Sequence, residues 1–254
     1  MTGVRTLSDA VRSVGETVAA VHFETDPEAL AERLPDPFEL IQPGEAFLYH
    51  GEAVIRDPDL IEAHGYLPPR LSTLFEAGVL IPCELDGRKG GFFTGHHADR
   101  DWSARKFRQM GYSSDVADIK MTRFPGELRE FTGPESGQTV KARTSKNGQR
   151  VMESEVTLEG PGDHPWDSFV FTVFGRRHIE DETLGANQSL LVNDVTAESH
   201  GRATMETVWE GSASINLHRD LFDDLQPVTA LGGYLFEFGL GFEGMEVLWE
   251  GDRS

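Results

Sequence analysis

The chain has 254 residues and a formal net charge of −20, with 43 acidic residues against 23 lysines and arginines. That balance excludes a nucleic-acid footprint, which needs clustered cations against phosphates, and argues against an anionic membrane surface. A hydrophobic fraction of 38%, spread along the chain, supplies a core and excludes disorder.

The first expected strand is the apolar, β-branched stretch at residues 17–23. Asp26 then caps a short helix over residues 27–33, with Pro27 in its first turn, and Leu34-Pro-Asp-Pro37 stops it. Further strands are expected at 47–55, at 79–84 and, after the turn at 85–87, at 90–95. Later candidates are 119–124, 139–144, 151–158, 168–174, 189–195, 202–210, 212–217 and 246–250. Residues 151–158 alternate Val, Glu, Glu, Thr with Met, Ser, Val, Leu, so one face is expected to be wet. Residues 229–238 read as a late helix despite Gly232 and Gly233. Many short strands and few helices predict a mainly β fold, a large antiparallel barrel or sandwich. Closure into a barrel removes exposed edges and leaves a mouth for a ligand.

Two readings of the acidity stand: solubility through self-repulsion, or adaptation to high salt. Cys83 is the single cysteine, so no intrachain disulfide forms, and an intracellular location is the simplest expectation. No apolar run of signal-peptide length follows Met1, and no stretch approaches the roughly 20 apolar residues of a membrane span. A soluble, cytoplasmic protein is expected.

Three segments, in order, resemble one family. They are HFETDPEALAERLPDPFEL at 22–40; FEAGVLIP at 75–82 with GRKG at 87–90; and WEGSAS at 209–214, followed by Leu217 and LQPV at 225–228. These are similar to the capped first helix, the Glu-x-Gly-x-x-Ile-Pro run with its Gly-x-x-Gly hairpin, and the late Trp-x-Gly strand of acetoacetate decarboxylase-like proteins. The resemblance spans residues 18–250. It implies one domain over residues 1–254, a closed β-barrel-like fold with a central pocket, a homo-oligomer, and small keto acid substrates. It implies no cofactor.

The family's chemistry turns on an amine. A desolvated lysine beside a second cation loses its proton, attacks a ketone and forms an imine that accepts electrons during decarboxylation. The family places that lysine after a Tyr-Pro pair. Here the run is RQMGYSSD at 108–115. Tyr112 matches the family's tyrosine. Ser113 stands at the proline, Ser114 at the reacting lysine and Asp115 at its cationic neighbour. Glu16, without a gap, falls where the family carries an N-terminal arginine, and Arg12 is close but displaced. Glu76 is the family pocket carboxylate that is kept. For a second one, in the strand at 47–55, His50 and Glu52 both compete.

Serine forms no imine. Only five lysines exist: Lys89, Lys106, Lys120, Lys141 and Lys146. Lys120, on the apolar segment 119–124, is the substitute with the strongest claim; the alternative is a solvated strand position. His96 and His97 follow the strand at 90–95. Neighbours on an extended chain face opposite ways, so one of them faces inward, and His97 is taken as the acid or base. Arg108 is expected to hold a substrate carboxylate, with Tyr112, Ser114 and His50 lining the pocket. His50, Glu52, His64 and His97 lack the tight spacing of a metal site, and none is expected. Three functions follow: a lyase or related enzyme on a keto acid without an imine, with Glu76 and a histidine as acid and base; a non-catalytic small-molecule binder; and an imine-forming enzyme using Lys120.

Overall fold

Asp26 accepts a hydrogen bond from the Glu28 amide at 2.9 Å and Pro27 opens the helix, so the first helix forms where capping chemistry places it. The computed structural model describes residues 12–124, 133–163, 173–181, 186–193, 204–242 and 246–252. Its first elements are β1 (Arg12–Glu24), α1 (Pro27–Arg33), β2 (Glu39–Leu40), β3 (Glu45–Arg56), α2 (Pro58–His64), α3 (Pro69–Ser72), β4 (Thr73–Leu85), β5 (Arg88–Ala98) and α4 (Asp101–Gln109). Then come β6 (Ser114–Val116), β7 (Asp118–Met121), β8 (Thr139–Lys146), β9 (Gln149–Pro161), β10 (Val173–Asp181), β11 (Ala186–Asn193), β12 (Thr204–Leu217), a one-turn helix at Arg219–Phe222, β13 (Thr229–Phe242) and β14 (Glu246–Asp252).

The strands join in one sheet, ordered β14-β11-β10-β5-β4-β3-β1-β13-β12-β9-β8-β7. Its β7 end curls back against β3 and β4, which makes a nearly closed barrel. Pairing is antiparallel except where β5 meets β10 and β6. The expected helix at 229–238 is a strand. β13 is hydrogen-bonded on both sides, to β1 and β12, and those ladders outweigh local helix spacing. The expected strand at 168–174 lies mostly outside the described residues. Those at 202–210 and 212–217 form one strand, β12, whose described part starts at Thr204.

The period of two along β1, β3, β4 and β5 divides the molecule into two apolar layers. On one face, Ala19, Val21, Leu48, Val79 and Ile81 pack with Met152, Val156 and Leu158 of β9 inside the barrel. On the opposite face, Val18, Phe47, Tyr49, Leu80 and Phe93 pack with Tyr112, Phe236 and the half-buried Phe107 of α4. The expected wet face of β9 is there: Glu155 is exposed while Val156 and Leu158 are buried.

β5 carries the irregularity that matters for the site. From the hairpin, Leu85 to Val79 pair regularly with Arg88 to Thr94. The register then slips by one, so that Ala77 pairs with His97 and Glu76 with Ala98. Gly95, at φ 60°, takes the left-handed conformation that this one-residue bulge needs. On its other edge β5 pairs with β10 at Gly91–Phe92 and with β6 at His96–Ala98. Residues 93–95 between those pairings form a window in the sheet.

Candidate active site

The bulge turns His96, rather than His97, onto the face of Glu76. His96 Nε2 stands 3.1 Å from Glu76 Oε2, and His96 Nδ1 stands 3.0 Å from Ser114 Oγ. Both histidine and acid are buried. Aromatic rings enclose the imidazole: Phe107 at 4.6 Å, Phe93 at 5.1 Å and Tyr112 at 5.5 Å between centroids. α4 supplies Phe107, and the chain after it brings Tyr112 and Ser114 alongside β5.

Two further groups complete the cluster. Tyr49, from β3, places its hydroxyl 3.2 Å from Glu76 Oε1 and also hydrogen-bonds Glu16 of β1. Gly51 is what admits Glu16. A Cβ on Gly51 would collide with the Glu16 carboxyl, and would lie 2.8 Å from the Tyr49 hydroxyl. The contiguous set is therefore Glu16, Tyr49, Glu76, His96 and Ser114. Burial, then the nearby charge of Glu76, raises the Glu16 carboxyl well above the usual range, with the Tyr49 hydrogen bond opposing. Burial, then Glu16 and Glu76, raises the Tyr49 phenol, so it stays a neutral hydrogen-bond donor.

A cleft of about 1060 Å³ reaches this cluster at the β5 window, where Phe93, Gly95 and His96 line it. Arg33, Arg105, Arg108 and Arg176 also line it. Arg33 is held by Asp224, the Leu221 carbonyl and Thr94. Arg105 pairs with Asp101 at 2.7 Å. Arg108 donates to the Ser114 carbonyl at 2.5 Å, which ties α4 to β6 beside His96.

Glu76, Tyr112, Ser114 and Arg108, expected from the sequence, thus share one neighbourhood. His97 also lines the cleft but turns to the opposite face of β5 from Glu76, and His50 and Lys120 lie elsewhere. His97 faces the barrel interior, where its Nδ1 stands 2.7 Å from the Gly95 carbonyl. His50 lies on that same interior face between Thr144 Oγ1 at 3.2 Å and Ser154 Oγ at 3.3 Å. Burial, then the neighbouring His97, pulls His50 down to about 3; burial first pulls His97 down to about 4. Both are neutral core imidazoles at neutral pH. Lys120 is exposed on β7 and pairs with Asp118 at 2.9 Å. That solvated ion pair is the opposite of the desolvated, cation-flanked setting that imine formation requires. Asp115 is exposed and held below the usual carboxylate range by its hydrogen bond to Lys146, at 2.6 Å.

Neither His50 nor Glu52 supplies a second carboxylate from β3: Glu52 pairs with Arg123. Glu16 supplies it instead, reaching across from β1 into the space over Gly51. Sequence reasoning set Glu16 against the family's arginine without giving it a role in the site, and passed over Tyr49. The available signal was the alternation Glu16, Val18, Ala20, which puts an acid in line with a buried stripe.

The sequence matches the acetoacetate decarboxylase (ADC) family model over residues 3–251. No curated protein is significantly similar to it in sequence. Among solved structures, the fold is similar to the enduracididine biosynthesis enzyme MppR, complexed with the condensation product of pyruvate and imidazole 4-carboxaldehyde. The TM-score is 0.79 at 20% identity, over 95% of this chain and 90% of that one. An acetoacetate decarboxylase-like enzyme from Sphingomonas wittichii RW1 gives TM-score 0.79 at 21% identity, over 95% and 94%. The acetoacetate decarboxylase of Legionella pneumophila gives 0.67 at 17%, over 98% and 93%. With the family match covering nearly its whole length, the chain belongs to the acetoacetate decarboxylase family.

Proposed function

We propose that this protein is an enzyme acting on a small keto acid by acid–base chemistry at His96 and Glu76, without an imine. The observation that carries this reading is the 3.1 Å contact of His96 with Glu76 at the end of an arginine-bearing cleft. Arg108 stands where it can meet a substrate carboxylate beside His96. In the imine route a cationic nitrogen accepts the electron pair of the breaking carbon–carbon bond. Here, for a β-keto acid, whose breaking bond starts at the carbon next to the carbonyl, the ketone oxygen accepts it and needs a proton donor beside it. An α-keto acid such as pyruvate can only be enolised at its methyl group. Protonated His96 gives its proton to that oxygen as the bond to the carboxylate breaks. Carbon dioxide leaves and an enol remains, and Glu76 stabilises the imidazolium before transfer. The enol then gains a proton at carbon from water and returns its hydroxyl proton to His96. MppR, whose structures include a pyruvate complex, supports a small keto acid as the substrate class.

The test offers pyruvate and acetoacetate with borohydride present, and separately follows carbon dioxide release and deuterium exchange. Turnover that is lost in Glu76→Gln, with no reduced adduct on any lysine, supports the reading. A reduced adduct mapped to Lys120 overturns it in favour of imine chemistry. Saturable binding of keto acids with no turnover overturns it in favour of a non-catalytic binder.

A further inference from the structure

One phenolic hydrogen serves two carboxyl groups in this site. The Tyr49 oxygen is within hydrogen-bond reach of Glu16 and of Glu76, yet a neutral tyrosine hydroxyl carries a single hydrogen. Were both acids ionised, one contact would set a carboxylate oxygen against a phenol oxygen with no hydrogen between them. Both acids are buried, Glu16 at 6% exposure and Glu76 at 9%. Among the described residues, no lysine or arginine forms an ion pair with either. Two negative charges in one buried space, with the His96 imidazolium as the single cation beside them among the described residues, are strongly unfavourable.

A second hydrogen resolves the conflict, and the geometry says where it sits. Glu76 already meets two potential donors, Tyr49 and His96. Glu16 meets the Tyr49 hydroxyl and the Glu76 carboxyl itself, two acids that can face each other only if one holds a proton, and occupies the volume over Gly51. We infer that Glu16 holds a proton at neutral pH and shares it with Glu76 through Tyr49, as the positioning residue that stands behind Glu76 and His96. Glu16 donates to the Tyr49 oxygen, and Tyr49 donates to Glu76. When Glu76 needs a proton, Glu16 passes its hydrogen to the Tyr49 oxygen while Tyr49 passes its own to Glu76. Glu16 is left as the carboxylate, and the pair keeps one negative charge throughout. The raised titration of Glu16, caused first by burial and then by Glu76, agrees with this arrangement. The catalytic use of the shared proton rests on the acid–base reading above; the sharing itself does not.

The experiment follows side-chain carboxyl carbons of glutamate by NMR through a pH titration of the full chain, in wild type, Glu16→Gln and Tyr49→Phe. We expect one signal that titrates well above the ordinary glutamate value of about 4.3. It disappears in Glu16→Gln, and its midpoint moves in Tyr49→Phe, which keeps both acids but removes the bridge. In parallel, keto acid turnover in Glu16→Gln loses the basic side of its pH profile, whereas a structural lesion lowers turnover at every pH alike. Glu16 titrating with the surface carboxyls in wild type overturns the inference, even if keto acids are turned over. A proton held on Glu16 in a protein that turns over no keto acid leaves the inference standing and removes the acid–base reading.

Discussion

His96 stands 3.1 Å from Glu76 because β5 carries one more residue than β4 between two paired segments. Had the register of the hairpin continued, Glu76 would pair with His97 and His96 would turn into the barrel. The bulge at Gly95 exchanges the two histidines. Replacing His96 by alanine is expected to lower kcat about 10²- to 10⁴-fold, the usual contribution of a positioned acid–base group. Imidazole added to the assay should restore part of that loss; a histidine with a purely structural role would show no such rescue.

Gly51 and Glu16 compete for one volume. Gly51→Ala should cost about 1–3 kcal/mol, the range for overpacking a filled site. Glu16→Ala in the same chain vacates the space. The double variant should therefore be more stable than the sum of the two single changes predicts, by more than the roughly 0.5 kcal/mol of ordinary additivity error. Urea denaturation of the four proteins measures this.

Glu16 also sets a pH dependence of stability. Its carboxyl titrates higher folded than unfolded, so the folded state binds more protons above about pH 4.3. Stability from this group is full below that pH and falls as pH rises through the folded value, with a slope of up to about 1.4 kcal/mol per pH unit. Melts of Glu16→Gln against pH should be flatter than wild type over that window.

The barrel interior imposes the opposite trend. His50 at about 3 and His97 at about 4 titrate lower folded than unfolded, where a histidine has a value of about 6.5. The unfolded chain binds the extra protons, so their stability is full above that value and is lost progressively as pH falls toward 4 and then 3. His50→Leu should reduce the acid sensitivity of the melting temperature between pH 6 and pH 4. An unchanged acid limb would contradict the burial assigned to this histidine.

Lys120→Met should leave keto acid turnover unchanged and shift stability by less than about 0.5 kcal/mol, because its bond to Asp118 is exposed on both sides. Parallel assays and melts of the variant check both halves.

Much of the architecture was legible where local chemistry and tertiary packing agree. The cap at Asp26 and the proline at 27 marked α1, and β-branched alternation marked β1, β3 and β9. Residues 229–238 misled because Leu231, Leu235 and Phe238 recur at helical spacing, while the partners that make β13 a strand lie far away in sequence. In the site, Glu76 was legible from its glycine-bearing motif. His96 was not distinguishable from His97, since the facing of both depends on one bulge. The role of Glu16 was hidden because it depends on the missing side chain of residue 51, on the neighbouring strand and two residues along in register.

The shared space over Gly51 also constrains how this site can have changed over time. A glutamate at 16 and any side chain at 51 exclude one another, so residue 51 cannot gain a side chain while Glu16 stays. A lineage that exchanges a carboxyl between the two strands passes through a chain with small residues at both, in which Tyr49 has lost a partner. A side chain at 51 is therefore expected to come with a replacement at 16 among relatives, and the order is set: the space is cleared before it is refilled.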